Sequence, residues 1–249
     1  MALHPQKSKF MLITTRQKRQ HIKSRLTGLK IHDKILEEVN SIKLLGLTID
    51  NNLSWSNHAF ALSKKISKKV FQFNRIKHFL DQHTRKLFFY AYIKPDIDYA
   101  STCWDLASEN CLKQLESVYK RSLKLILLKS SSLELNDYKE LNILPFNLNC
   151  RCNKGVFMYK IMNDLAPPYL RERFPVKNIQ NKKAIVTHRP RTDLFMTSLS
   201  YSGSKLWNEA PAYLKNTSNL KSFKKRTTNT CLNCCKWCMY FSRSCSMAA

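Results

Sequence analysis

SIKLLGLTIDNNLSW, residues 41–55, alternates apolar and polar positions, passes through Gly46 and stops at Trp55. Such alternation is the pattern of a half-buried strand. A glycine inside it marks a bend, or a place where another backbone comes close. The stretch therefore predicts a hairpin kinked at Gly46. Beyond Trp55 the period changes. Leu62, Ile66, Val70, Phe73, Ile76 and Leu80 recur at steps of three and four, which puts them on one stripe of a helix with Ser56 as its N-cap. The opposite side carries Lys64, Lys65, Lys68, Arg75 and Lys77.

Working outward, KFMLITT (9–15), LKI (29–31) and KILEEV (34–39) are short β-like runs, with a tight turn expected at His32-Asp33. Together with the hairpin they predict a small antiparallel sheet. On the other side, TRKLFFYAYI (84–93) predicts a second helix, apolar almost all round and ended by Pro95. A third helix, Glu109 to Leu128, has Leu112, Leu115, Tyr119, Ser122 and Ile126 on one side and Lys113, Lys120, Arg121 and Lys124 elsewhere. Three helices with short connections make a bundle. KSSSLELN (129–136) marks a boundary. After it come one more helix (Phe146 to Asn163, stopped by Pro167-Pro168), an aperiodic basic stretch (171–200), a compact piece anchored by Trp207 and Leu214, and a tail rich in cysteine and lysine. The expected fold is α+β, mostly α: a sheet-and-hairpin region over 1–55, a helical bundle over 56–130, a helical and irregular domain over 131–226, and a disordered tail over 227–249.

Composition narrows the function. Of 249 residues, 43% are hydrophobic, enough to bury a core. The charge balance, 43 Lys+Arg against 17 Asp+Glu, leaves a formal +26 spread along the whole chain. That favours a polyanionic partner, and nucleic acid, RNA or DNA, before an anionic membrane. No run approaches the length of a membrane span. MALHPQKSKFMLITT has Pro5 and two lysines where a signal peptide would be apolar, so the chain reads as intracellular, nuclear or cytoplasmic. Its nine cysteines then read as thiols.

Six short motifs follow one another in a set order: HPQKSKFML (4–12), LLGLTID with LSW and His58 (44–58), LFFYAYIKPDIDYASTCW (87–104), ILPF (143–146) with APPYL (166–170), RPR (189–191) and WNEAPAYLK (207–215). This succession resembles the region after the catalytic palm in reverse transcriptases of non-LTR retrotransposons, LINE elements of the jockey type. The resemblance implies a primer-grip-like hairpin at Leu45 and Gly46 and a helical thumb. It also implies a template–primer RNA–DNA duplex as partner, contacted by Lys64, Lys65, Lys68, Arg75, Lys77, Lys120 and Arg121. The family polymerises DNA on RNA with magnesium held by clustered palm aspartates, and neither aspartate motif occurs here. The chemistry is thus expected from the palm and fingers part of the polyprotein. On this reading the chain is a C-terminal fragment that brings no cofactor of its own and does not polymerise alone.

Other readings stand beside this one. Physically, a helix with lysines on one side and an apolar stripe on the other tracks a phosphate backbone with little regard to sequence, which equally suits an independent basic RNA-binding or assembly module. Asp96-Ile97-Asp98 has the form of a metal-binding D-x-D, but it follows Pro95 in what reads as an inter-helix connection. Cys231-x-x-Cys234 and Cys235-x-x-Cys238, with Cys245, have zinc-compatible local spacing. The two pairs abut without an intervening loop, however, and no histidine is near, so a read-through tail is favoured over a zinc site. Cys103, Cys111, Cys150 and Cys152 read as small core or near-surface residues. Trp55, Trp104 and Trp207 read as core anchors.

Overall fold

The computed structural model describes residues 4, 8–23, 29–31, 34–179, 182–187 and 189–233. In chain order, its first part holds β1 (Lys9–Phe10), α1 (Arg16–Lys23), β2 (Lys30–Ile31), β3 (Lys34–Ile35), β4 (Glu37–Glu38), β5 (Ser41–Leu44) and β6 (Leu47–Asp50). The helical part follows with α2 (Ser56–Ile76), α3 (Gln82–Phe88), α4 (Lys94–Asp98), α5 (Ser101–Trp104), α6 (Glu109–Leu127), α7 (Leu135–Leu141), α8 (Phe146–Met162) and α9 (Pro168–Glu172). Then come β7 (Val176–Ile179), β8 (Lys182–Ile185), α10 (Asp193–Thr197), α11 (Ser204–Glu209), α12 (Ala212–Lys215) and α13 (Leu220–Asn233). The class is α+β, mostly α. Two compact units emerge: residues 1–65 with 107–115, and residues 66–106 with 116–249. Both α2 and α6 run unbroken across the boundary.

In the first unit, β5 and β6 form the expected hairpin, with Ile42 opposite Ile49 and Leu44 opposite Leu47. Gly46 does not sit inside a strand, however. With Leu45 it makes a two-residue turn in which both φ angles are positive, 48° and 84°, the mirror-image turn whose twist matches that of paired strands. Glycine takes this conformation freely, whereas Leu45 bears a cost of roughly 1–2 kcal/mol. The single antiparallel sheet is not formed. Three separate two-stranded pairs replace it, one of them (β1–β4) parallel. These runs have no buried face to line, as Ile35, 68% exposed, illustrates. KFMLITT contributes only Lys9 and Phe10 to a strand and is followed by α1, whose RQKRQHIK is rich in straight-chain helix formers. The turn at His32-Asp33 lies outside the described residues.

The link from hairpin to helix is organised by Asp50. Its buried carboxylate accepts from the Asn52, Ser54 and Trp55 backbone N–H groups and from the Ser54 hydroxyl, at 3.0–3.1 Å. Burial alone would raise its pKa, but these bonds outweigh it and hold the group below the usual value. The cage lets Leu53 and Trp55 sit at φ 54° and 59°. Ser56 is the first helical residue rather than the cap. The Trp55 carbonyl accepts from Ala59 N–H and the Ser54 Oγ from Ser56 N–H.

In the second unit, α3 starts two residues before the expected Thr84, with Asp81 accepting from Thr84 N–H as its cap. Pro95 does not end the helical path. Residues 89–93 form a π-helical turn, in which the Lys94 N–H reaches back to Phe89 O, and α4 continues with Pro95 in its first turn. Proline breaks a helix by removing one bond and crowding the carbonyl four residues back. A π turn already shifts that bonding register by one residue. Two aromatic clusters fill the unit. Phe73 stacks on Phe88 (4.7 Å), while Phe89 and Phe146 meet Tyr119 (both 5.8 Å). Farther along, Tyr159, Trp207 and Phe223 pack with Met158, Phe174, Ile185 and Leu214. Trp55, Trp104 and Trp207 are all buried, as expected. Arg85, also buried, donates to the carbonyls of Ile126, Lys77 and Leu80, so one guanidinium closes the ends of α6 and of the turn after α2.

Residues on both sides of 129–136 belong to this unit, and α8 matches its expected span to within one residue. The stretch over 171–200 is less irregular than its sequence suggests, since β7 and β8 pair within it. Part of the expected tail is ordered too. Thr227–Asn233 extend α13, with Thr227, Cys231 and Leu232 buried.

Candidate nucleic-acid interface

Helix α2 has two unlike faces. Ala59, Leu62, Ile66, Val70 and Phe73 are buried along one side. Ile76, 37% exposed at the last residue of α2, and Leu80, half-buried after a 3-10 turn at Lys77–Phe79, were expected on the same stripe but fall outside it. On the opposite side, at steps that return to one azimuth, lie Phe60, Lys64, Lys68, Phe71 and Arg75, all exposed. Phe60 is 53% and Phe71 58% exposed. Each phenylalanine carries the cation four residues on: Lys64 Nζ lies 4.3 Å from the Phe60 ring centre and Arg75 Cζ 4.7 Å from that of Phe71. An exposed cation–π contact contributes about 0.5–1 kcal/mol, enough to bias a long side chain toward the ring. The stripe rises about 22 Å from Phe60 to Arg75, a length that spans about six phosphate steps of one strand.

No carboxylate occurs anywhere in α2. Another of its five cations, Lys69, is used internally: it pairs with Asp96 at 2.8 Å, donates to Tyr92 O at 2.6 Å and lies over the Tyr92 ring. Lys65 is exposed but about 100° around the helix from Lys64. Lys77 is half-buried in the 3-10 turn, where its carbonyl accepts from Arg85. The structure thus gathers three of the seven expected contact residues, Lys64, Lys68 and Arg75, on one face. Lys120 and Arg121 are exposed on α6, and Lys120 pairs with Glu116 at 2.8 Å. Leu45, 81% exposed, and Gly46 form the hairpin tip. The sequence reading passed over Phe60 and Phe71. Their signal was present, as an aromatic residue four positions before a basic one, repeated eleven residues later.

Asp96 and Asp98 do not form a convergent carboxylate pair. Asp96 faces Lys69, whereas Asp98 pairs with Lys94 at 2.9 Å and accepts from Asn149 and Asn153. Magnesium needs oxygens converging on one point, and these two do not offer them. The segment is also helical rather than a connection. Among the described residues, no group of three or more His, Cys, Asp or Glu is placed to hold a metal. Cys231 turns into the core, where its sulfur lies 3.2 Å from that of Cys152. Cys234, Cys235, Cys238 and Cys245 lie outside the described residues. Cys150 and Cys152 are buried and Cys103 and Cys111 half-buried, with burial pushing the Cys150 thiol well up.

Two polar clusters brace the second unit instead of serving a site. Asp98, Asn149, Asn153, Lys94 and Ser101 interlock across α4, α5 and α8. Lys154 pairs with Asp105 at 2.9 Å and donates to Ser202. Burial raises the Asp105 pKa, and the Lys154 charge opposes the rise. Among the described residues no helix is long and apolar enough to cross a membrane. Comparisons with known protein families, with curated proteins and with solved structures find no match for this chain.

Proposed function

We propose that this chain binds nucleic acid through its phosphate backbone, as the duplex-gripping part of a polymerase of the reverse-transcriptase kind whose chemistry resides in another part of the polyprotein. One observation carries the reading: the stripe of α2, where three cations and two exposed aromatic rings share one face with no carboxylate among them. Lys64, Lys68 and Arg75 would displace counterions from phosphates, and the two rings would lie against sugars or bases. In this reading the hairpin tip, where Leu45 is 81% exposed beside Gly46, is the counterpart of a primer grip. Magnesium belongs to the catalytic part in this reading, with no ligand set from this chain.

The test is a salt titration of the full chain on a labelled RNA–DNA duplex and on the matching single-stranded RNA. Log affinity should fall with log salt with a slope of at least about −2 to −3, since three or more phosphates are neutralised. A slope near zero on both probes would overturn the proposal. Because the aromatic rings can also stack on unpaired bases, preference for the single strand would favour the independent RNA-binding module. With magnesium and a primed template the chain should add no nucleotides, and template-dependent extension would show that the catalytic centre had been missed.

A further inference from the structure

Helix α13 repeats the charge logic of α2 at a place to which no role has been given. Asn219 caps it, accepting from Ser222 N–H at 2.8 Å. One face is anchored in the core: Phe223 and Thr227 are each 1% exposed, and Cys231 packs on Cys152. Lys221, Lys224 and Lys225 fall together on the outer face, at i, i+3 and i+4, all exposed. Arg226 lies to the side and is tethered to Tyr213 O. None of the three lysines forms an ion pair with a carboxylate among the described residues. The helix contains no Asp or Glu, and the sequence has none after Glu209. On α6, by contrast, both Lys113 and Lys120 have a glutamate four residues before them.

A solvated basic face is the ordinary outcome of a charge run. Here, though, the run has no neutralising carboxylate among the described residues, and the face is held by a helix whose other side is locked in the core. We infer that the outer face of α13 is a second phosphate-binding surface for nucleic acid, separate from the stripe on α2. Lys221, Lys224 and Lys225 span about 6 Å of helix, a length that matches about two phosphate steps of one strand. An anionic lipid surface fits less well. A helix lying in a membrane interface presents an apolar face to it, and the apolar residues of α13 are already packed inward. The inference takes the partner class, nucleic acid, from the reading of α2, but it rests on different residues.

The experiment compares the full wild-type chain with two triple variants: Lys221→Gln/Lys224→Gln/Lys225→Gln on α13 and Lys64→Gln/Lys68→Gln/Arg75→Gln on α2. Probes are a labelled single-stranded oligoribonucleotide, the matching RNA–DNA duplex, and phosphatidylserine vesicles. The α13 variant should flatten the log-affinity against log-salt slope on an oligonucleotide by about two. Replacement of the same three lysines by arginine should restore the slope. Circular dichroism and thermal melting should be unchanged, since the three side chains are exposed. If the α2 variant flattens the slope and the α13 variant does not, the inference about α13 falls while the α2 reading stands. If neither does, both fall. Should the α13 variant lose vesicle binding while keeping oligonucleotide binding, α13 is a lipid-facing surface and the inference is overturned.

Discussion

Helices α2 and α6 have similar lengths, 21 and 19 residues. Each buries an apolar stripe and carries several lysines, yet they handle charge in opposite ways. On α6, Glu109 and Glu116 stand one turn before Lys113 and Lys120 and pair with them at 2.9 and 2.8 Å. Such pairs stabilise a helix by a few tenths of a kcal/mol, about 0.3–0.5 each, and leave little charge for a partner. On α2 the same positions, four residues before Lys64 and Arg75, hold Phe60 and Phe71. A ring orients the cation without neutralising it. At these four positions the residue one turn upstream therefore separates a cation paired with a carboxylate of its own helix from one held by a ring.

The comparison can be broken most severely at Arg85, which joins the end of α6 to the turn after α2. Arg85→Ala would leave three carbonyls and a buried space unfilled, at a cost of about 3 kcal/mol or more. Urea unfolding should register this, and Arg85→Lys should recover only part, because a point charge lacks the planar fork. A loss under about 1 kcal/mol would show that the two helices are held elsewhere.

Next in size, neutralising Lys113 and Lys120 together should change the salt slope of nucleic-acid binding by under about one, whereas the α2 triple variant flattens it by about two to three. Equal effects would erase the distinction between the helices. Glu116→Gln sharpens it from the other side. By releasing Lys120 it should steepen the slope by up to about one, and a constant slope would mean that Lys120 faces no phosphate even when unpaired. Phe71→Ala should leave the slope alone while weakening binding to single-stranded RNA by about 1–3 kcal/mol. Identical losses on a fully paired duplex would assign the ring to packing on sugars.

The smallest effect concerns the first unit. His58 is buried beside Trp55, and its Nδ1 faces the Thr48 backbone N–H at 3.4 Å as acceptor. Burial lowers its pKa below 6.5. Because the unfolded chain then takes up the proton more readily, the stabilisation is complete above pH 6.5 and is lost as pH falls toward the depressed value. Thermal melting between pH 7 and pH 5 should show the loss, and His58→Gln should remove this part of the pH dependence.

The hairpin, the spans of α2, α6 and α8, and most of the buried stripes were legible because each is set by local periodicity. The positions that escaped depend on distant partners. Asn208, for example, gives both its amide groups to the backbone of Ile185, at 2.8 and 2.9 Å. It thereby completes β8 in a stretch that looks aperiodic. Gly203 makes room for a neighbour: a Cβ there would lie 2.8 Å from Met158 Sδ and 2.9 Å from a Leu199 methyl, so those side chains would have to shift, a contact no local pattern announces. The site was half legible. Counting lysines singled out α2, but only the geometry separated Lys68 from the adjacent Lys69, which is consumed by Asp96 and Tyr92.

The π turn at 89–93 works as a phase shifter. By inserting one extra residue into the helical ring it rotates everything downstream by about 100°. Asp96 and Asp98, about 200° apart on α4 as residues two apart on any helix are, are turned together by this shift, Asp96 onto Lys69 and Asp98 onto Lys94. Excising a single residue between Phe89 and Ile93 would restore an ordinary helix upstream of Pro95. It would also bring the proline ring against a carbonyl and unseat both carboxylates at once. The length of that short segment, more than its composition, sets the direction in which this pair of acidic groups faces and so commits both to holding the scaffold together.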